Sequence, residues 1–144
     1  VLGAVHAPAI QHTYYTTEPQ KAFRKYKLEP PQQIHTCTSD SGNRTALVSR
    51  SHREDRTNAY LNKHNLSKIQ SVGSSLKFCL VAAGEADIYP RFAPTMEWDT
   101  AAGHAIVNAA GGAVTKTNGE PLLYKKDKFK NPNFICTGPP ITTY

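Results

Sequence analysis

Pro94-Thr95-Met96-Glu97-Trp98-Asp99-Thr100-Ala101-Ala102-Gly103 is the stretch on which the reading of this chain turns. One carboxylate, Asp99, stands directly before a run of the smallest side chains. An apolar helical spacing then follows through Ala102, Ala105, Ile106, Ala109 and Ala110. This predicts a helix that opens at Asp99 and stops at Gly111-Gly112. A lone acid would then sit at a helix N-terminus, where unpaired N–H groups point outward and the macrodipole favours negative charge. Alanine and glycine would leave the first turn uncluttered, so that a phosphate or a hydrated metal could approach it. An ordinary capping aspartate, worth about 1 kcal/mol, has the same spacing.

Outward from this helix, the chain alternates. Thr45–Ser49, Lys68–Val72, Ala86–Tyr89, Ala113–Thr117 and Phe134–Cys136 read as strands. Between them, a helix is expected from near Glu54 to His64. A second carries the stripe Leu76, Cys79, Leu80, Ala83 and ends at Gly84. Pro90–Glu97 reads as a connection, Lys125–Lys130 as a solvated loop and Asn118-Gly119 as a turn. The first 44 residues differ: strands at 2–7, 12–16 and 22–27, then loop through Pro30-Pro31 and the polar run 37–44. The fold class is therefore α/β, a mixed sheet flanked by helices.

The 144 residues suffice for one domain with a real core. A formal net charge of +6 suits either a plain basic protein or one with an anionic ligand such as a phosphorylated metabolite. Nucleic acid is not expected as a partner, because the basic residues are scattered and form no motif with interleaved aromatics. No run of about 18 apolar residues exists, so no integral membrane segment is expected. The N-terminus has no signal-peptide pattern. It lacks Met and opens in a strand, which suggests a chain cut from something longer. Three widely spaced cysteines support neither a zinc site nor a disulfide framework. A cytoplasmic location is expected, free or peripheral at the inner membrane.

Three further segments could carry chemistry. Gly73-Ser74-Ser75-Leu76-Lys77 places a hydroxyl-bearing turn and a lysine at a helix mouth, suited to an anion. Ser49-Arg50-Ser51-His52 lies where strand passes to helix, the usual ligand-facing end in α/β folds. Arg91, following a strand, suits bidentate phosphate contact. Each also has a plain reading: a serine cap with a solvated lysine, a surface histidine, a surface arginine. Near the candidate site only Glu97 and Asp99 are acidic, and in extended chain they would face opposite ways. Two-metal phosphoryl chemistry needs more carboxylates than that.

Taken together, Trp98–Gly103 with Ala109-Ala110-Gly111-Gly112 resembles the C-terminal signature of the inositol monophosphatase superfamily of Mg²⁺-dependent phosphatases. Within it, the segments Ser49–His52, Gly73–Cys79 and Ala86–Arg91 resemble the 3′(2′),5′-bisphosphate nucleotidase branch. The resemblance implies a layered α/β phosphatase fold, Mg²⁺ as cofactor and a small nucleotide bisphosphate as substrate. The implied reaction is hydrolysis of 3′-phosphoadenosine 5′-phosphate to AMP and phosphate. It makes Asp99 a metal-ligating aspartate that also helps orient water. His52, Ser74, Lys77 and Arg91 would hold the nucleotide, with Gly73 and Ser75 as their supporting turn.

It further implies that residues 1–44 end an N-terminal sheet region and that 45–144 form a C-terminal nucleotide- and metal-binding domain. The superfamily's Asp-Pro-(Ile/Leu)-Asp-Gly-Thr motif and upstream glutamate are absent from this sequence. The chain is therefore expected to resemble the C-terminal portion of such an enzyme. By itself it would bind Mg²⁺ poorly, turn over little, and pair with a missing N-terminal half or with itself. A catalytically silent nucleotide-binding module and an inositol phosphate phosphatase are the alternatives.

Overall fold

In the computed structural model, residues 1–37, 43–50 and 55–139 are described. The first part is an antiparallel meander of β1 (Ala4–Ala7), β2 (His12–Glu18), β3 (Lys21–Tyr26) and β4 (Gln32–Ile34), in that spatial order. Period-2 alternation sets its faces: Tyr14 and Thr16 of β2 point inward and are buried, whereas Tyr15 between them is half-exposed. The fourth strand was not foreseen. Gln32–Ile34 begins immediately after the proline pair and is too short and polar to show a period. It still pairs with Ala22–Arg24 and delivers Ile34 to the core.

The second sheet has β5 (Thr45–Val48), β6 (Lys68–Ser71), β7 (Ile88–Arg91), β8 (Ala113–Lys116) and β9 (Phe134–Thr137), ordered β6-β5-β7-β9-β8. The pairs β5–β6 and β5–β7 are parallel, and β9 runs antiparallel between β7 and β8. The strand β7 runs two residues past the expected end, through Pro90 to Arg91. A proline is tolerated in this central strand because β5 pairs with β7 only at Ala46–Ile88, so Pro90 lies beyond the shared ladder on that side.

Three helices complete the layers: α1 (Asp55–Lys63), α2 (Leu76–Ala82) and α3 (Glu97–Ala109). Helices α2 and α3 lie between the two sheets, and α1 covers the far face of the second sheet. One core joins Tyr14, Ala22 and Ile34 of the first sheet to Phe78, Cys79, Ile106 and Phe134. A smaller one holds Ala46, Val48, Leu61, Leu66, Ile88 and Ile135 under α1.

This layering corrects the reading of α2. A single apolar stripe on Leu76, Cys79, Leu80 and Ala83 is not what is buried. A helix packed on both sides has no solvent face, so every residue from Lys77 to Ala82 is buried while Leu76 and Ala83 are only half-buried.

The third helix also starts earlier than its spacing suggests. Glu97 is its first residue, and Asp99 lies inside the first turn rather than before it. Its small residues serve packing: a Cβ added at Gly103 would lie 2.6 Å from Phe78 of α2, so the two helices approach through that gap. Both α2 and α3 end as their glycines predict. Gly84 (φ +71°) and Gly111 (φ +90°) take the left-handed conformation. The following N–H groups, of Glu85 and Gly112, close onto Leu80 O at 3.0 Å and Val107 O at 2.9 Å.

Candidate functional site

The C-terminal ends of parallel strands β5, β6 and β7 open on the same side, where α/β sheets receive ligands. There the segments after β5 and β6, the end of β7 and the first turn of α3 enclose a cleft of about 350 Å³. It brings Gly73, Ser74, Ser75, Lys77, Arg91 and Asp99 together. Ser49 and Arg50 line it too, whereas Ser51 and His52 of the same motif lie outside the described residues.

Lys77 is buried, with 2% of its surface exposed, and no carboxylate pairs with it among the described residues. Its Nζ donates to the carbonyls of Val72 (3.1 Å) and Ser74 (2.9 Å) and lies 4.9 Å from the centre of the Tyr89 ring. These two bonds fasten the turn in which Ser74 holds φ +51°. The third N–H of the ammonium makes no hydrogen bond among the described residues. Burial, followed by the nearby Arg91 and Arg50 guanidinium groups, pulls its pKa down to about 8.

Arg91 is equally fixed. Its Nε donates to Ala93 O (3.0 Å), Nη1 to Ser49 Oγ (2.6 Å) and Nη2 to Pro94 O (3.1 Å). A guanidinium has five donors, and two of them make no hydrogen bond among the described residues. Three cations thus face one carboxylate across the cleft, and the charge comes from side chains. Helix α2 is too short for a strong dipole, and Ser75 does not cap it. Its Oγ instead donates to the Asp99 backbone carbonyl at 3.3 Å, tying the turn to α3.

Asp99 is exposed at the cleft. Its Oδ2 accepts the Met96 N–H at 2.8 Å while its own N–H donates to Met96 O at 3.0 Å. One carboxylate oxygen therefore caps the helix from within the first turn. The other has no hydrogen-bond partner among the described residues. Among the described residues no group of three or more His, Cys, Asp or Glu is placed to hold a metal. Asp99 can supply one oxygen ligand, which suits Mg²⁺, an ion that takes one or two carboxylates plus water and phosphate.

Glu97 does not share the cleft. It is buried and accepts the N–H groups of Lys125 (3.0 Å) and Lys126 (2.9 Å), with the Lys126 ammonium at 2.6 Å. Those bonds hold its carboxyl below the usual range, the Lys126 ammonium being the largest cause. The lysine-rich segment is exposed at Lys125, Lys128 and Lys130, as expected of a solvated loop, but Lys126 ties it to α3.

Asn131, also missed, completes the clamp. Its Nδ2 donates to Met96 O (2.8 Å), Thr100 Oγ1 (3.1 Å) and Thr95 Oγ1 (3.2 Å). Behind it, the Tyr124 hydroxyl sits 2.9 Å from His104 Nδ1, and burial, then Lys126, lowers the imidazole pKa. Nothing in the spacing announces these residues, since they act through a non-local fold-back. Only an asparagine amid lysines could have drawn notice.

The chain belongs to the inositol monophosphatase family, whose sequence pattern matches residues 1–139. Its relatives narrow this further. It is 43% identical over 138 residues to the 3′(2′),5′-bisphosphate nucleotidase CysQ of Salmonella typhimurium, covering 95% of this chain and 54% of that protein. Against the protein of the same name from Escherichia coli K12 it is 42% identical over 135 residues, covering 93% and 53%. The crystal structure of CysQ from Bacteroides thetaiotaomicron superposes with a TM-score of 0.82 at 37% identity, over 96% of this chain and 58% of that one. The chain spans about half the length of the curated relatives it matches. No helix among the described residues is long and apolar enough to cross a membrane.

Proposed function

We propose that this chain supplies the phosphate-binding wall of a Mg²⁺-dependent phosphatase that hydrolyses 3′-phosphoadenosine 5′-phosphate to AMP and phosphate. The supporting observation is the convergence of Lys77, Arg91, Ser74 and Ser75 with Asp99 in one cleft. The names of the relatives choose the substrate.

In this reading the N–H groups of Lys77 and Arg91 not used among the described residues, together with the Ser74 hydroxyl, hold the phosphate oxygens, and Ser75 supports the turn. Gly73 lets the turn pass close under Arg50, whose guanidinium would meet an added Cβ at 2.7 Å. His52 takes a place beside the nucleoside. The uncapped oxygen of Asp99 is one arm for Mg²⁺, which when bound neutralises phosphate charge and makes water more acidic. Asp99 further holds and orients that water. Other carboxylates must come from outside the described residues. The chain alone is therefore expected to turn over little, and its partner is a polypeptide carrying the preceding half of the family fold, or a second copy. Residues 45–144 carry nucleotide and metal, and 1–44 close the first sheet. The working location is cytoplasmic, free or peripheral at the inner membrane.

A second reading is a nucleotide-binding module without turnover, in keeping with Asp99 as the one carboxylate lining the cleft among the described residues. The test is Mg²⁺-dependent phosphate release from 3′-phosphoadenosine 5′-phosphate, with inositol monophosphate assayed in parallel. Each is measured with and without the added N-terminal half of a relative. Release only in the mixture, and only from the nucleotide, supports the proposal. Binding without release in both favours the silent module, and preferential release from inositol monophosphate overturns the substrate.

A further inference from the structure

Strand β7 serves two hollows. Arg91 at its end lines the cleft, whereas the next residue, Phe92, lines a separate groove between α1 and edge strand β8. This groove consists of two adjoining hollows of about 500 and 380 Å³ that share Tyr60, Lys63, Phe92 and Thr117. Its floor is aromatic: the Tyr60 ring centre is 5.5 Å from that of Phe92 and 4.3 Å from that of His64. Its rim is cationic, with Arg56, Lys63 and Lys116, and no carboxylate lines either hollow. Lys116 pairs with Glu120 at 2.9 Å, but Arg56 and Lys63 are exposed and make no ion pair among the described residues.

Rings alone would accept any apolar group, and cations alone any anion. Rings beneath unpaired cations select a ligand that carries both. We propose that this groove is a second binding site, for an aromatic phosphate of the size of a nucleoside monophosphate. The base lies against Tyr60 and Phe92, where an aromatic face and a base stack favourably. The phosphate lies between Lys63 and Arg56, which provide charge-assisted hydrogen bonds. No residue of the groove lines the cleft, so this site stands apart from the proposed catalytic one.

The test is an NMR titration of the ¹⁵N-labelled protein with 5′-AMP, adenosine and ribose 5-phosphate in separate experiments. Signals of Tyr60, Lys63 and Phe92 report the groove, and those of Ser74, Lys77 and Asp99 report the cleft. The expected result is saturable movement of the groove signals with 5′-AMP. Affinity there should be about tenfold weaker for either half-ligand, and about tenfold weaker for 5′-AMP in the Arg56→Glu, Lys63→Glu double variant. Both substitutions are at exposed positions and leave the core intact. Groove signals that stay still while cleft signals move, equal affinity for adenosine and 5′-AMP, or indifference to the double variant would each overturn the site.

Discussion

Lys77 carries a charge that the fold does not neutralise. Its pKa is about 8 in the folded chain, against 10.5 for an ordinary lysine. Between those values the unfolded chain holds the extra proton at this site, so the contribution of Lys77 to folding stability should rise as pH climbs from about 8 to about 10.5, while the buried thiols of Cys79 and Cys136, pushed up from 9.0, contribute the opposite slope above about 9. Below about 8 both states are protonated and the penalty is constant. Anion binding runs the other way, because a phosphate needs the ammonium. Phosphate affinity should therefore fall as pH passes about 8, and Lys77→Met should remove that fall together with the Lys77 share of the stability slope. Denaturant unfolding and phosphate titration of wild type and variant at pH 7 and pH 9.5 check the two signs as the difference between the two proteins, and a wild-type phosphate affinity that holds constant would remove Lys77 from the site.

Asp99 separates in the same way into a cap and a ligand. Asp99→Asn keeps an oxygen for the Met96 N–H, so thermal unfolding should show a loss of less than about 1 kcal/mol. The same variant should abolish Mg²⁺-dependent release in the complete enzyme. A large stability loss would make the carboxylate structural instead.

At the scale of elements, α3 is the part that must stay still, and two of its contacts can be tested by substitution. Asn131 satisfies the Met96 carbonyl and two threonine hydroxyls at its start. Asn131→Ala removes this shared donor, while the Met96 carbonyl keeps the Asp99 N–H and the Thr100 hydroxyl keeps the Glu97 carbonyl, so a loss of about 1 kcal/mol is expected by denaturant unfolding. Gly103 lets α3 approach Phe78. Gly103→Ala would gain helix propensity, but it forces overpacking that typically costs about 1–3 kcal/mol, so net destabilisation is expected. A Gly103→Ala variant as stable as wild type would show that the helices have room to part.

These elements also mark where local pattern stops informing. Glycine stops, the Asn118-Gly119 turn and the strand–helix alternation after residue 45 are local chemistry and were legible. The start of α3, the all-round burial of α2 and the Glu97–Lys126 clamp depend on what packs from far along the chain. Propensity carries no record of that. The residues of the cleft were legible as motifs because each lies at a strand end or in the first turn of a helix, but what holds Lys77 and Arg91 in place was not.

Over the whole molecule, the boundary near residue 44 divides the two sheets, yet a single core crosses it, with Tyr14 and Ile34 packed among the residues of α2 and α3. One cooperative unfolding transition should follow, coincident by near- and far-UV circular dichroism. Two separate transitions would mean that residues 1–44 form their own unit.

In the proposed reading, three strand ends and one helix turn make a phosphate cleft. Calorimetric titration of 3′-phosphoadenosine 5′-phosphate into the chain and into its Lys77→Met, Arg91→Gln double variant tests it most directly, with folding of both verified by circular dichroism. Two charge-assisted contacts at about 1.5–3 kcal/mol each predict at least a roughly hundredfold weaker affinity in the variant. Equal affinity in a folded variant would contradict the account.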